Sequence, residues 1–314
     1  MRIVSLLASA TEIICELGAG DWLVGRSHEC DNPHWVRSLP ACTSPAFDIQ
    51  MSSRDIDIEV RRRLRAREPL YYVNKEIIAA AKPDLIIAQA HCEVCAVTPG
   101  DVQRAGCATY GSQILVLEAG SLEGIFTDIA AIAQALGKHD QGRALIARLK
   151  KRLVEIENSL AHERRPSLVM LEWTDPVFPM SNWGPELVAI ARGNLLLGKA
   201  NVHSRAIQWS DVRAADPEFL IVAPCGFNLK RTIEEIPILQ SYSGWQELRA
   251  IQEGKVFLAD GNLYFNRSGI TVVNTAEIIA DILHGTSFYA PPEGVTYWQS
   301  LPATTQPRIE QQPG

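Results

Sequence analysis

Two clusters in this chain bring imidazole, thiol and carboxylate groups together at spacings that permit metal or thiol chemistry. They are His28-Glu29-Cys30-Asp31 and His91-Cys92-Glu93-Val94-Cys95. Cys92 and Cys95 have the two-residue separation that lets two sulfurs meet one metal ion or each other. Two further ligands drawn from His28, Cys30 or His91 would complete a tetrahedral site, with zinc or iron as the candidate metal. The same groups also suit a reversible disulfide, or plain thiols lining a pocket. A cysteine–histidine pair is the raw material of a nucleophile and its base as well. No second Cys-x-x-Cys and no local signature of a thiol hydrolase is present to choose among these readings.

A second group is aromatic: Glu172-Trp173, Asn182-Trp183, Gln208-Trp209, Cys225-Gly226-Phe227 and Tyr264-Phe265-Asn266-Arg267. Tryptophans beside strand ends offer large flat apolar surface with an N–H donor, which suits a planar ligand. A single tryptophan more often belongs to a core; several such segments together favour a pocket. The expected lining is therefore His28, Glu29, Cys30, His91 and Cys92 on one side. Glu172, Trp173, Trp183, Trp209, Phe227, Tyr264, Asn266 and Arg267 form the other. Arg267 is expected to pair with Glu172 or with a ligand anion, or equally to serve in a structural salt bridge.

The elements that must position these residues read as two similar halves. Pro83-Asp84-Leu85-Ile86-Ile87-Ala88 is echoed by Pro217-Glu218-Phe219-Leu220-Ile221-Val222-Ala223, and each copy runs into a cysteine-bearing loop. Both read as a buried strand after a helix, with a proline and an acid at the turn. Further strands are expected at 3–7, 22–25, 114–117, 167–171 and 255–258, with helices near 9–17, 53–66, 74–81, 185–191 and 272–283. Residues 32–51 read as irregular. From Ser121 to about His162 the pattern is helical without a proline, as one long helix or two in succession. The fold class is thus α/β, two lobes with largely parallel central sheets joined by a long helical backbone. The expected division is 1–120, a connector at 121–164, 165–285, and a proline-rich tail at 286–314, laid on the surface or disordered. Unusual residues fall just past the carboxyl ends of strands, where open parallel sheets bind ligands.

The bulk composition narrows the class. At 314 residues the chain exceeds one ordinary core. A formal charge of -6 argues against a nucleic-acid surface. The basic run Arg61-Arg62-Arg63-Leu64-Arg65 has helical apolar spacing behind it and reads as a solvated face. Seven cysteines with no leader pattern argue against a complete disulfide framework. With no leader pattern and no stretch apolar enough to span a membrane, a cytoplasmic, monomeric protein is expected, and an exported one only if the chain has been trimmed at its start. No Gly-rich phosphate loop follows a strand, and no His-Glu-x-x-His occurs.

An ordered set of segments resembles one family. Arg2-Ile3-Val4-Ser5-Leu6, Ser9-Ala10-Thr11-Glu12, Leu17-Gly18-Ala19-Gly20-Asp21 and Leu23-Val24-Gly25 are similar to the opening of the helical-backbone (class III) substrate-binding proteins of ABC importers. Within them the likeness is to the vitamin B12-binding group. It continues through Ser27–Asp31, Cys92–Val97, Glu172-Trp173, Pro224–Phe227 and Tyr264–Arg267, roughly residues 2–284. The resemblance implies two α/β lobes on one long helix, with cobalamin, haem or an iron-siderophore clamped between them. It also implies delivery to an ABC permease through one surface carboxylate on each lobe, for which Glu234 and Glu235 are the second-lobe candidates. The cysteine-rich loop is no part of what that resemblance requires. It motivates the alternative of a metal- or thiol-dependent enzyme on the same scaffold, using His28, Cys30, His91, Cys92 and Cys95.

Overall fold

The computed structural model describes residues 1–90, Gly100 and residues 111–301. His91, Cys92, Glu93 and Cys95 lie outside the described residues, and with them the zinc or iron expectation at that loop.

The short apolar runs become the strands of two sheets. In the first lobe, β1 (Ile3–Ser5), β2 (Leu23–Arg26), β5 (Leu85–Gln89) and β6 (Gln113–Leu117) form an all-parallel sheet ordered β2-β1-β5-β6. In the second, β7 (Ser167–Trp173), β10 (Phe219–Val222) and β11 (Val256–Ala259) run parallel, ordered β11-β10-β7, and β7 also pairs with the two-residue strands β8 (Phe178–Pro179), antiparallel, and β9 (Asn194–Leu195), parallel. Strands buried on both faces need no polar alternation, and β1, β5 and β10 are buried at every residue. The echoed acids have the same task in each lobe. The Asp84 carboxylate accepts the Arg2 backbone N–H at 2.7 Å, and that of Glu218 accepts the Ser167 N–H at 3.4 Å. Each thereby ties the start of its own strand to the start of its neighbour.

Two segments behave differently from their sequence patterns. Within the stretch read as irregular, β3 (Thr43–Pro45) pairs antiparallel with β4 (Tyr71–Val73), and its short length leaves too little periodicity to see. In the tail, β12 (Trp298–Ser300) adds antiparallel to β11 and covers the sheet edge. Backbone pairing, which is blind to side-chain pattern, fixes both.

The connector is two helices. Leu122–Ala135 ends at Gly137, whose positive φ of 65° reverses the chain, and His139–Ser159 follows. The second, 21 residues and so about 30 Å long, buries Leu145, Leu149, Leu153 and Ile156 along one stripe. That stripe joins a single hydrophobic cluster running from Ile3 and Ile13 in the first lobe to Leu168, Phe265 and Val272 in the second. A shared core of this kind resists hinge motion far more than a loop linker would.

The two connector helices touch at Gly142, where an added Cβ would lie 2.4 Å from the Ala133 Cβ. Gly142→Leu is expected to force them apart and lower stability by about 1–3 kcal/mol. Urea denaturation measures this, and an unchanged midpoint would contradict the contact.

Candidate functional site

The carboxyl ends of both sheets turn toward one another, and their loops meet across a seam. At one part of it the Trp173 indole N–H donates to Ser53 O at 3.2 Å, Arg54 pairs with Asp175 at 3.0 Å, and Arg231 donates to Met51 O at 3.1 Å. At another, Asn262 donates to Asp31 at 2.9 Å. Arg267 there reaches Glu12 and Asp31, each at 2.5 Å.

His28 stands on the first-lobe wall, in the turn after β2. Its backbone N–H donates to Thr43 Oγ1 at 3.0 Å, and its ring Nδ1 lies 2.7 Å from the same oxygen. The Thr43 hydroxyl donates to Ser27 Oγ at 3.1 Å, so toward His28 it acts as acceptor. The proton then belongs on Nδ1, and the lone pair on Nε2. Burial, with Arg26 adding to it, pulls the imidazole down to about 4, so the ring is neutral at physiological pH. The Tyr71 ring rests against it, centroids 5.4 Å apart. Glu29 Oε1 is 4.0 Å from Nε2, and burial pushes the Glu29 carboxyl up to about 7. This part of the first lobe therefore offers a neutral nitrogen lone pair next to a carboxyl that holds its proton more firmly than an ordinary glutamate.

Trp173, the last residue of β7, and Phe227, past the end of β10, stand together on the second lobe. Their ring centroids are 5.1 Å apart, and the Arg231 guanidinium lies 4.5 Å over the Phe227 ring. Glu172 is half-buried beside them at the end of β7.

Other expected site residues serve the core. Trp209 is 8% exposed, stacked on Tyr242 and Trp245, with its N–H bonded to Ser243 O. Trp183 is 6% exposed and donates to Phe265 O. Each satisfies its single donor within the second lobe, as buried indoles must. Tyr264 is buried with its hydroxyl 2.6 Å from that of Tyr289, and Asn266 caps the Ala223 and Gly261 carbonyls. Cys30 is fully buried: its sulfur accepts from the Thr11 hydroxyl at 3.1 Å, and burial pushes its thiol up to about 12. It thus points into the core, away from any metal shared with His28. Among the described residues no three His, Cys, Asp or Glu groups gather as metal ligands.

Of the readings open to Arg267 the structural salt bridge is the one realised, with partners other than Glu172. The residue is 6% exposed and bridges the lobes through Glu12 and Asp31. Burial raises the Glu12 carboxyl even though Arg267 opposes that shift. Sequence reasoning missed Glu12 as the partner; its signal was an acid within the buried face of the helix Ala8–Glu16. Of the docking candidates, Glu235 is buried against Arg231 at 2.8 Å and Thr174, so it cannot present a surface charge; Glu234 is exposed.

A sequence model of the family described as periplasmic binding protein matches residues 3–263. A vitamin B12-binding protein of Vibrio campbellii is 24% identical over 224 residues, 71% of this chain and 70% of its own. YvrC, an ABC transporter substrate-binding lipoprotein of Bacillus subtilis, is 21% identical over 292 residues, 91% of this chain and 81% of its own. Among solved structures, a periplasmic heme-binding protein from Pseudomonas aeruginosa superposes with a TM-score of 0.69 at 17% identity, covering 91% of this chain and 93% of that one. These matches correct the cytoplasmic expectation: the matched family is periplasmic and a relative along nearly the whole chain is a lipoprotein, which points to export. The thiol-dependent enzyme receives no support from them. No described helix is long and apolar enough to cross a membrane.

Proposed function

This chain belongs to the periplasmic binding protein family, and from that premise we propose that it captures a corrinoid, or a related tetrapyrrole or metal chelate, between its lobes for delivery to an ABC permease. The observation that carries the reading is the His28 lone pair on one wall, with the Trp173–Phe227 pair on the other. A flat chelate packs its face on indole and phenyl rings, while a neutral imidazole meets its metal along the axis. The B12- and heme-binding names of the relatives support this ligand class. Glu234 is the candidate second-lobe contact for the permease, being the exposed member of its acidic pair.

Absorbance titration with hydroxocobalamin, haemin and a ferric siderophore tests the proposal. One of them is expected to bind one-to-one with a Kd below about 10 µM, and with a tetrapyrrole to shift the metal's absorption bands. Saturation by none of the three would sink the reading.

The acid limit of that spectral shift follows from the imidazole. An ordinary histidine takes up its proton near 6.5, whereas His28 does so at about 4. The protonated ring has no lone pair for a metal. Coordination should therefore survive as pH falls through 6 and be lost only at about pH 4 or below, because metal and proton compete for the same lone pair. A midpoint near 6.5 would mean that His28 is not the ligand.

A further inference from the structure

A cavity of about 490 Å³ lies beside the connector helix, where both lobes and the tail meet. His28, Glu29, Trp173 and Phe227 take no part in its lining. Its walls come from four parts of the chain, including Asn32 of the first lobe, Tyr264 of the second and Tyr289 of the tail.

Cation character is concentrated on one wall. Arg148 and Arg152 stand one turn apart on the connector helix, with Leu149 between them, and line the cavity together with a single carboxylate. Arg148 meets that carboxylate, Glu16, in a half-exposed pair. Arg152 uses Nε and Nη2 on Glu277, which leaves its Nη1 edge. A guanidinium has five N–H donors, so neither residue is exhausted by its partner.

The terminal helix Val272–His284 starts at the same cavity. Its first turn has no acidic residue and its N-terminus no side-chain cap. Thr271 there is 7% exposed, and its hydroxyl finds no hydrogen-bond partner. A helix N-terminus in this state attracts negative charge. The remaining lining is tyrosine ring and aliphatic side chain, enough to cover an apolar body.

We infer that this lateral cavity is a second binding site, for a small organic anion: a carboxylate or phosphate held by Arg148, Arg152 and the Thr271 helix start, on an aromatic or aliphatic body packed against Tyr264 and Tyr289. Such a ligand touches both lobes and the connector at once, so its binding favours the apposed arrangement of the lobes.

Ligand-observed NMR on the full chain, with benzoate and inorganic phosphate as probes, tests the site. Benzoate is expected to saturate one-to-one with a Kd near 1 mM or below, and phosphate alone to compete at least about tenfold more weakly. Arg148→Gln should weaken benzoate by about tenfold or more while keeping the wild-type melting temperature, because its half-exposed pair contributes little to stability. His28→Ala should leave benzoate binding unchanged, which separates this site from the cleft whether or not a chelate binds there. Absence of saturable benzoate binding would overturn the inference. So would equal binding by Arg148→Gln, loss in His28→Ala, or phosphate competing as well as benzoate.

Discussion

Arg267→Met is expected to cost about 3–5 kcal/mol of stability, because it strands the Glu12 carboxylate in the core without its counter-charge. Glu12 is buried on the first lobe and Arg267 on the second, so the lost pair is also a lost tie between lobes. The double variant Glu12→Gln, Arg267→Met removes both charges and should recover a large part of the loss. Asp31 then keeps its Asn262 contact and the more exposed Arg37 at 3.7 Å. Urea denaturation of the two variants reads the difference directly. If the single variant is as stable as the parent, or the double variant falls further than the single one, the bridge does not hold the seam in the way described.

The second large effect concerns the ligand. Trp173→Ala removes the largest ring on the second-lobe wall, and an aromatic anchor in a binding seam is worth about 2 kcal/mol or more. Affinity for the chelate identified by titration should fall by about 30-fold or more. Trp173→Phe separates packing from hydrogen bonding. It keeps a ring against Phe227 but loses the N–H bond to Ser53, a net loss of about 0.5–1.5 kcal/mol. Binding should then fall severalfold at most. Affinity in Trp173→Ala equal to that of the parent would remove the indole from the site and leave the second lobe's contribution to Phe227 alone.

How much of this was legible beforehand depends on the kind of signal. Buried parallel strands announce themselves by short apolar runs, and the echoed Pro–acid–apolar segments marked the two lobes because each acid ties the strand start to its neighbour. The helical connector was legible from its apolar pattern, while the choice between one helix and two was made by the chain reversal at Gly137. The strands β3, β4 and β12 were not, since three residues have too few alternations to stand out and their existence depends on a distant partner.

At the site, His28, Glu29, Trp173 and Phe227 could be singled out as unusual residues just past strand ends. Trp183 and Trp209 satisfy the same description yet belong to the core, and Tyr264, buried as well, lines the lateral cavity instead. An indole at a strand end can turn either toward the gap or under the sheet, and composition is the same in both cases. What decides is whether its N–H reaches across the seam: that of Trp173 is shared between Ser53 O of the other lobe and its own neighbour Asp175 O, while that of Trp209 goes to Ser243 O within the lobe. Cys30 follows the same logic, its sulfur turned inward to the Thr11 hydroxyl two residues from an imidazole on the cleft wall.

Sequence alone thus determined the class of fold and its two lobes, and placed the proposed site residues at strand ends, because hydrophobic period and strand-end position are local properties of the chain. Tertiary structure alone decided that Arg267 is a bridge, that Glu235 is buried and that His28 keeps its lone pair on Nε2. Those outcomes depend on hydrogen-bond and charge partners far away in sequence, and only folding brings such partners within 3 Å or so.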